Sequence, residues 1–413
     1  MKIGIQASNS RKGGGQFQFL IMFLDALFAA DIKHEIYLFY FHDEDKLRQR
    51  YQKERWHWID LNKELPVLFI GKFLELFKKP LKSLLCHLGI TVIRHRKTKA
   101  TDNSIPKLKR AFLSKYKLDF MFFPTWTDNC WEYGVPFVFI VHDVQHRLQP
   151  EFPEVSIEGE WIHREKIFSK AISKAKIVLA DSEEEKKNVL HFYDCEPKKV
   201  KVLPYTVPSS SIIQLSEEKI KEIVEKMNTP VKFLFYPANF WPHKNHYRII
   251  EAIGLLKKKY RIEIPIVFVG KAYSQWQVLA ICKALAKKHS IESQVCFLNY
   301  VSDEELAALY MRAVGLVMPT YSGPTNIPYM EAFYYKCPVI ASDIPGSKEQ
   351  IGDAGLLVDP RNTDAIADAI YRIWTDQTLR EKLIKKGQKQ LEKFSPEHFR
   401  KKVNYIIEEM IKI

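Results

Sequence analysis

Short apolar runs alternate with helical patterns along most of this chain, and this alternation restricts the fold more than any other feature of the sequence. The runs are almost continuously apolar and rich in β-branched residues, as in the buried strands of a parallel sheet. Because strands that alternate with helices form parallel sheets covered by helices, the pattern predicts an α/β fold. The predicted strands form two series, 2–7, 35–41, 118–124, 136–143, 176–182 and 199–205, then 231–238, 264–270, 294–298, 315–320, 337–343 and 355–360.

The two series are separated at the segment TVPSSS, residues 206–211. A chain of 413 residues is too long for one ordinary hydrophobic core and suits two domains. We therefore expect two doubly wound, Rossmann-like domains, at residues 1–208 and 209–394, followed by a helix at 395–413. Ligands of open α/β sheets bind beyond the carboxyl ends of the strands, so a cleft between two such facing domains is the predicted binding region.

Two helix starts carry recognisable capping patterns. Ser302 is followed three residues later by Glu305, which is the signature of a capping box. Ser395 precedes Pro396, which predicts a cap followed by a first-turn proline at the start of the last helix.

Composition excludes several classes of protein. The net charge of +14 favours anionic partners. The six cysteines include no C-x-x-C pair, which argues against a zinc site or a disulfide framework. The longest apolar run, FLIMFLDALFAA (19–30), is short and contains Asp25, so it predicts a buried helix and not a membrane span.

The loops after two strands of the first series carry candidate ligand-binding residues. Gly13, Gly14 and Gly15 precede a helical pattern, where glycine lets the backbone approach an anion, although a plain flexible turn fits equally well. His142 ends another strand and can donate a hydrogen bond or move a proton, or simply cap a turn. His142 and His146 do not predict a metal site, because no third ligand has a recognisable spacing.

Two loops of the second series are candidates for a phosphate site. Lys244, in PANFWPHKNH (237–246), lies just before a helix and is placed for a phosphate, although most lysines are only solvated. In SGPTNIPYMEAF (322–333), Gly323 permits close backbone approach, and Asn326 or Thr325 is expected to cap a helix with Pro328 in its first turn. Glu331, one turn deeper, can accept two hydrogen bonds from a ribose diol, although an acidic residue near a helix start is common for dipole reasons alone.

Taken together, these segments resemble a known family. FYPANFWPHKNHYRIIEAI, YVSDEELAALY, PTYSGPTNIPYMEAF, CPVIASD, GDAGLLVDP and VHDVQHRLQPEFP are similar, in order and spacing, to the group 1, or family 4, glycosyltransferases. The similarity is strong from about residue 230 to 360, moderate from 118 to 205 and weak between 45 and 117.

The resemblance implies a GT-B fold, in which two Rossmann-like domains face across a cleft and the last helix returns to the first domain. It implies a retaining hexosyl- or deoxyhexosyl-transferase that uses a nucleotide-diphosphate sugar, no metal and no other cofactor. The residues that correspond to catalytic positions are His142, Lys244 and Glu331, with Asp143 and His146 on the acceptor side. The donor-binding set is Gly13, Gly14, Gly15, Asn239, Lys244, Tyr300, Val301, Gly323, Thr325, Asn326, Ile327 and Glu331.

The chain departs from the family pattern at two positions. The family's first glutamate, eight residues before the second, is Gly323 here. An arginine that usually precedes the diphosphate lysine by five positions is Asn239. On this interpretation Lys244 and the helix dipole must neutralise the diphosphate without a second cation.

A basic segment, residues 68–117, predicts a peripheral position. Residues 72–117 contain 13 lysines and arginines against Glu75 and Asp102, or 13 − 2 = +11. Lys72, Glu75, Lys79 and Lys82 recur at helical spacing among Leu and Phe, as in a helix lying on an anionic membrane surface, and equally as in a packing helix with a solvated face. No nucleic-acid-binding module is recognisable. The expected location is therefore cytoplasmic, or peripheral on the inner face of the plasma membrane.

The expected function is transfer of a sugar to a glycan or lipid-linked acceptor in the biosynthesis of cell-surface polysaccharide, including lipopolysaccharide. Two alternatives stay open at this point: a sugar-nucleotide epimerase on the same fold, and a non-catalytic nucleotide-sugar-binding or scaffold protein. The sequence Asp43-Glu44-Asp45 is read as a helix cap and not as a metal-binding motif.

Overall fold

A computed structural model describes residues 1–7, 14–30, 33–41, 46–64, 104–323 and 325–412. Gly13, the Asp43–Asp45 motif and most of the basic segment 68–117 therefore lie outside the described residues. The chain divides into two compact units. Unit 1 comprises Met1–Ile140, Ile167–Val178 and Ile407–Ile413, and unit 2 comprises Val141–Lys166 and Leu179–Ile406. The domain boundaries drawn from the sequence, at residues 208/209 and 394/395, stay a prediction.

The described strands form one seven-stranded and one six-stranded sheet. The first sheet has the order β3-β2-β1-β4-β5-β6-β7, and the second has the order β10-β9-β8-β11-β12-β13. The strands are β1 Lys2–Gln6, β2 Glu35–Tyr40, β3 Trp56–Asp60, β4 Phe120–Phe123, β5 Phe137–Val141, β6 Ile177–Ala180, β7 Val200–Val202, β8 Leu234–Pro237, β9 Ile266–Val269, β10 Val295–Leu298, β11 Gly315–Met318, β12 Val339–Ser342 and β13 Gly355–Val358.

Helices connect most of these strands. The helices before residue 200 are α1 Gly15–Ala29, α2 Leu47–Arg50, α3 Leu61–Glu64, α4 Ser104–Ser114, α5 Gln145–Leu148, α6 Pro153–Ser156, α7 Glu160–Lys174 and α8 Glu183–Phe192. The later helices are α9 Glu217–Lys226, α10 His246–Tyr260, α11 Val278–Lys288, α12 Asp303–Arg312, α13 Ile327–Tyr334, α14 Pro345–Ile351, α15 Thr363–Thr375, α16 Gln377–Lys393 and α17 Pro396–Lys412.

All five pairings of the second sheet are parallel, as the continuous apolar runs predict. Parallel strands are covered on both faces, and the residues of β9, β11 and β12 are accordingly buried throughout. The side chains of these strands form one hydrophobic core with the inner faces of α10, α12 and α15. In the first sheet, β3, β2, β1, β4 and β5 also pair in parallel.

All twelve strands predicted from the sequence are present, and β3 was missed. β3 reads WHWID, in which polar residues interrupt the apolar ones, and most of its residues are only half-buried. It lies at the edge of the sheet that the described strands form, with β2 as its one neighbour among them, so its sequence lacks the continuous apolar run of a central strand.

The two predicted caps are confirmed. In α12 the Glu305 N–H donates to Ser302 Oγ at 3.3 Å, and the Ser302 N–H donates back to Glu305 Oε2 at 2.7 Å. At the start of α17, the His398 N–H donates to Ser395 Oγ at 3.3 Å. No helix among the described residues combines the length and the apolar character needed to span a bilayer.

The capping box of α12 gives a direct test of this part of the fold. We expect Ser302→Ala to lower the free energy of unfolding by about 1 kcal/mol, because it leaves the Glu305 N–H without its side-chain acceptor. Urea unfolding measures the change. The neighbouring exposed Glu304→Ala is the matched control and should stay within about 0.5 kcal/mol of the wild type. Equal effects of the two substitutions would contradict the capping role.

Candidate functional site

The order of the second sheet defines where a ligand can bind in unit 2. β8 and β11 are neighbours in this sheet, but the chain leaves them toward opposite edges, to β9 and to β12. In a doubly wound sheet this point, at the carboxyl ends of the two strands, is where ligands bind. The loops concerned are 238–245 and 319–326, which carry Lys244 and the Gly323–Asn326 segment.

The backbone around Lys244 is fixed by buried hydrogen bonds. Asn245, which is fully buried, donates through Nδ2 to the carbonyl oxygens of Pro319 and Pro360, both at 2.8 Å. The Tyr236 hydroxyl donates to the Lys244 carbonyl oxygen at 2.9 Å. The loop after β8 is therefore held against the loops that follow β11 and β13.

The ammonium group of Lys244 is available to bind an anion. It makes no hydrogen bond or ion pair with the part of the chain that the structure describes. Burial lowers the pKa of Lys244 to about 8, even though Asp143 and Glu154 act in the opposite direction. A half-buried cation without a partner is unfavourable, and a ligand phosphate would relieve that penalty.

Hydrogen bonds between His243 and Glu154 join this loop to α6. His243 Nδ1 lies 2.5 Å from Glu154 Oε1, and the His243 N–H donates to the same oxygen at 3.0 Å. Burial raises the pKa of Glu154, but its bonds with His243 outweigh this and lower it below the ordinary value. The carboxylate is thus charged at neutral pH and acts to raise the pKa of Lys244. At His243 burial outweighs the effect of Glu154, and the pKa of this histidine lies below its ordinary value.

The loop after β11 has the tight turn that its glycine predicts. Gly323 has φ = 120°, a conformation that L residues rarely adopt. Asn326 donates through Nδ2 to the Gly323 carbonyl oxygen at 3.1 Å, and its backbone N–H donates to Gln350 Oε1 at 2.8 Å. Asn326 occupies the N-cap position of α13, but neither it nor Thr325 provides the expected side-chain cap. The side chain of Asn326 instead closes the turn.

Thr325 connects this loop to an acidic residue that follows β6. Its hydroxyl donates a short hydrogen bond to Asp181 Oδ2, and Ser182 Oγ donates to Asp181 Oδ1 at 3.1 Å. Asp181 is 1% exposed, and burial raises its pKa to about 7. This residue was not singled out from the sequence, although its position at the carboxyl end of a buried strand, in VLADS, was a usable signal.

Glu331 is buried inside unit 2. It is 6% exposed, and its two carboxyl oxygens accept hydrogen bonds from Ser211 Oγ at 2.6 Å and from the Tyr310 hydroxyl at 2.8 Å. Burial raises its pKa, which the two hydroxyl donors partly oppose. The carboxyl group is therefore rigidly positioned. Its predicted contact with a ribose stays a prediction.

The residues after β5 form a polar cluster in unit 2. His142 Nδ1 lies 2.7 Å from the Tyr205 hydroxyl. Asp143 accepts hydrogen bonds from Arg164 at 3.2 Å and from the Gln145 N–H at 3.0 Å; burial raises its pKa, but these two groups lower it below the ordinary value. His146 is fully buried, and burial lowers its pKa.

His146 Nε2 lies 3.3 Å from Glu165 Oε2 and 3.2 Å from the Tyr193 hydroxyl. An enclosed histidine with these neighbours positions the cluster, whereas His142 and Asp143 are only half-buried. The predicted acceptor-side role of Asp143 and His146 stays a prediction.

The other predicted donor-binding residues lie in three separate places. Asn239 Oδ1 accepts from the Lys271 N–H at 2.9 Å, so its side chain joins the loops after β8 and β9. This close approach requires Gly270, since a Cβ there would collide with the Ala238 carbonyl oxygen. Tyr300 is 71% exposed and Val301 half-buried in the loop after β10. Gly14 and Gly15 are exposed at the start of α1, in unit 1.

No group of three or more His, Cys, Asp and Glu side chains suited to a metal ion occurs within the described ranges. The constellation in unit 2 thus consists of one desolvated cation, a glycine turn ahead of a helix, and buried carboxyl groups held by hydroxyls. Residues 216–390 match the family model of the glycosyl transferases of group 1.

Residues 216–390 form a group 1 glycosyl transferase domain. This segment contains the loop after β8, the loop after β11 and α13. The predicted family is therefore confirmed for this segment, and with it the prediction of a glycosyl transferase.

Two curated mannosyltransferases are similar in sequence to this chain. It is 26% identical over 259 residues to the O-antigen chain mannosyltransferase B of Escherichia coli, which covers 62% of this chain and 66% of that protein. It is 27% identical over 212 residues to the O-antigen chain mannosyltransferase RfbU of Salmonella typhimurium, covering 49% and 55%. The chain therefore spans less than two thirds of the length of these curated relatives.

The fold is shared with a solved structure that contains UDP and glucose. The crystal structure of Anabaena HepE in complex with UDP and glucose superposes with a TM-score of 0.71, at 14% identity and over 99% of both chains. At 14% sequence identity, this similarity is evidence for a shared fold only. The predicted fold class, GT-B with two parallel α/β sheets, is confirmed.

Asp181 gives a pH-dependent test of the site. Its pKa is higher in the folded than in the unfolded state, so the folded protein binds more protons between about pH 4 and pH 7. This contribution to stability is present at low pH and is lost as the pH rises through about 7. We expect Asp181→Asn to gain stability relative to the wild type from pH 5 to pH 8, by roughly 2–4 kcal/mol in the free energy of unfolding.

Urea unfolding of both proteins at the two pH values measures this gain. Asp194→Asn is the control, because Asp194 is exposed and should follow the wild type at both pH values. If the free energy of unfolding of the wild type changes with pH as that of Asp181→Asn does, Asp181 is not the titrating group.

Proposed function

We propose that this chain transfers a hexosyl or deoxyhexosyl unit from a nucleotide-diphosphate sugar to a glycan or lipid-linked acceptor during biosynthesis of cell-surface polysaccharide. The observation that carries the proposal is Lys244, a desolvated ammonium group at the switch point of the second sheet. The named activity of the O-antigen mannosyltransferases and the UDP bound in the HepE structure support it. We propose further that transfer retains the anomeric configuration and needs no metal.

The chemistry requires stabilisation of a leaving nucleoside diphosphate. Negative charge develops on the β-phosphate as the glycosidic bond breaks, and preorganised donors stabilise that charge best. Lys244 supplies one charge, and the start of α13 supplies N–H groups and the positive end of a helix dipole. The glycine turn at Gly323 keeps side-chain atoms out of the space that the phosphate approaches.

The nucleoside and the sugar are assigned to other parts of the same constellation. Glu331, held between Ser211 and Tyr310, is proposed to accept hydrogen bonds from the ribose, and Tyr300 and Val301 to hold the base through their backbone. His142 is proposed to contact the donor sugar. Because Asn239 stands where the family carries an arginine, Lys244 bears a larger share of the diphosphate charge than in the usual pattern.

The location is part of the proposal. The synthesis of a lipid-linked glycan would place the chain in the cytoplasm, peripheral to the inner face of the plasma membrane, with the basic segment 68–117 toward anionic lipid. The composition of that segment alone supports this assignment.

Lys244→Met tests the diphosphate site. We expect UDP or GDP to raise the melting temperature of the wild type and to bind Lys244→Met at least about tenfold more weakly, because a charge-assisted hydrogen bond is lost. The affinity of the wild type should also fall as the pH rises through about 8, where the ammonium group loses its proton, and the affinity of Lys244→Met should not.

Lys271→Met is the matched control, since Lys271 is exposed one loop away. Thermal shift and titration calorimetry at pH 7 and pH 9.5 provide the measurement. If neither nucleotide stabilises the wild type, the proposed donor site is wrong and a scaffold role gains support, in keeping with the missing charges at Gly323 and Asn239.

Glu331→Ala tests the ribose contact. We expect the variant to lose stabilisation by the nucleoside diphosphate that the wild type binds, and to keep stabilisation by pyrophosphate, which has no ribose. Ser211→Ala is the control for the buried network, because it removes one hydrogen bond to Glu331 and leaves the carboxyl group in place. A Glu331→Ala protein that distinguishes nucleotides as the wild type does would refute the assignment.

A further inference from the structure

One buried glutamine holds the backbone at the start of α13. Gln350, on α14, is 2% exposed. Its Oε1 atom accepts a hydrogen bond from the Asn326 N–H at 2.8 Å, and its Nε2 group donates to the Asn326 carbonyl oxygen at 2.9 Å. A single side-chain amide therefore fixes both peptide groups that flank Asn326, the residue at the N-cap position of α13.

Within the part of the chain that the structure describes, the first turn of α13 keeps one N–H group for a ligand. The Asn326 N–H donates to Gln350, and Pro328 has no N–H. The Tyr329 N–H donates to the Asn326 carbonyl oxygen at 3.3 Å. The Ile327 N–H makes no hydrogen bond with the described residues. An anion at this helix start would therefore bind through the Ile327 N–H.

The side chain of Gln350 sets the direction of this N–H group. The Ile327 N–H and the Asn326 carbonyl group belong to the same planar trans peptide unit, in which the N–H and the C=O point in opposite directions. Because Gln350 Nε2 holds the carbonyl oxygen, the N–H points away from the glutamine amide. A hydrogen bond to the carbonyl oxygen also polarises the peptide and makes its N–H a stronger donor.

Hydrogen bonds to two other helices hold Gln350 in place. Gln390 Nε2, on α16, donates to the Gln350 carbonyl oxygen at 3.0 Å. The carboxylate of the neighbouring Glu349 accepts from the N–H groups of Glu183, at 3.0 and 3.1 Å, and of Glu184, at 3.4 Å, at the start of α8. A helix of seven residues such as α14 is not stable by itself, so these contacts keep the glutamine amide in one orientation.

The start of α13 belongs to the same strand-end region as Lys244. The loop after β11, which leads into α13, is bonded to the loop that carries Lys244, since the Tyr321 N–H donates to the His243 carbonyl oxygen at 2.8 Å. Donors that are fixed before the ligand arrives stabilise negative charge best, because they need no reorganisation. A glutamine that served only the stability of the fold would make the same two bonds, so the two roles differ in their effect on ligand binding.

We propose that Gln350 is a positioning residue for the donor diphosphate: by holding the Asn326 carbonyl group, it directs the Ile327 N–H toward the phosphate oxygens. Gln350 acts through the backbone and does not contact the ligand. This proposal rests on the proposed function, because it assigns a residue that prepares the same diphosphate site.

Gln350→Met tests the proposal, because methionine has a similar length and no amide. Titration calorimetry uses UDP or GDP, whichever stabilises the wild type. We expect Gln350→Met to bind it about fivefold or more weakly, as the loss of an oriented hydrogen bond to a phosphate predicts. Pyrophosphate, which has no nucleoside, should be weakened by a similar factor.

Gln294→Met is the matched control. Gln294 is also 2% exposed, and its Oε1 atom accepts from the Ile264 N–H at 2.8 Å. The two residues precede β10 and β9, so this bond lies at the amino ends of the strands, away from the loops that bind ligands. Urea unfolding reports the loss of stability in both variants, and Gln294→Met should bind the nucleotide within about twofold of the wild type.

Gln350→Glu provides a rescue by a similar side chain. A protonated carboxyl group has one donor and one acceptor, as the amide has, and burial favours the protonated form. At pH 5.5 we expect Gln350→Glu to bind the nucleotide within about twofold of the wild type at the same pH, while Gln350→Met stays weaker.

The proposal is overturned if Gln350→Met binds the nucleotide as Gln294→Met does, or if Gln350→Glu at pH 5.5 binds as weakly as Gln350→Met. Lys244→Met is titrated in parallel. Weakened binding by Lys244→Met together with wild-type affinity of Gln350→Met would reject the role of Gln350 and leave the proposed function in place. Absence of nucleotide binding by the wild type would reject both.

Discussion

The candidate donor site of unit 2 depends on one buried amide. Asn245 lies in the left-handed region of the backbone, at the residue between the short helical turn of Lys244 and α10, and its Nδ2 group bonds two carbonyl oxygens from loops far apart in sequence. Those loops follow β11 and β13. The Tyr321 N–H at 2.8 Å and the Thr320 hydroxyl at 3.1 Å also donate to the His243 carbonyl oxygen and join the loops after β8 and β11. The bond from Asn245 to the Pro360 carbonyl oxygen adds the loop after β13 to this arrangement.

Unit 2 also contains several ionisable groups that are buried or half-buried. Lys244 has a lowered pKa, and Asp181, Glu185 and Glu331 have raised ones, each because burial disfavours the charged form. A raised pKa of a carboxyl group and a lowered pKa of a lysine both favour the uncharged form of the side chain. Burying such groups costs free energy on folding. Part of this cost is recovered when a ligand of matching charge or hydrogen-bonding capacity binds, so a stable fold can retain a site whose polar groups lack partners until the ligand is present.

Much of the fold could be predicted because burial on both faces of a parallel sheet leaves a simple signature. Continuous apolar runs located the strands of the second sheet, and glycine and proline located the turn at Gly323 and the start of α13. β3 was missed because an edge strand needs no such run. The cap of α13 was predicted for the wrong reason: Asn326 stands at the right position, but its side chain bonds to Gly323, a choice that depends on the turn and not on the local pattern of residues.

The candidate site could be predicted only in part for a different reason. Lys244 and Glu331 stand in recognisable motifs, whereas Asp181, Glu154 and Gln149 reach their partners through contacts between distant segments. Thr325 and Asp181 are 144 residues apart, and Gln149 and Tyr321 are 172 residues apart. Sequence spacing carries no information about such pairs unless the complete chain path is known.

The turn at Gly323 also limits how this protein can change. A residue with a side chain at φ = 120° would be strained, and its Cβ would lie 3.0–3.1 Å from the amide oxygen and nitrogen of Asn326. A glutamate at this position, as the family resemblance would have it, therefore cannot be introduced by one substitution while the turn keeps its shape. The backbone conformation of the turn and the absence of a carboxylate at position 323 therefore depend on each other. The loop would have to change its shape before a glutamate could occupy this position.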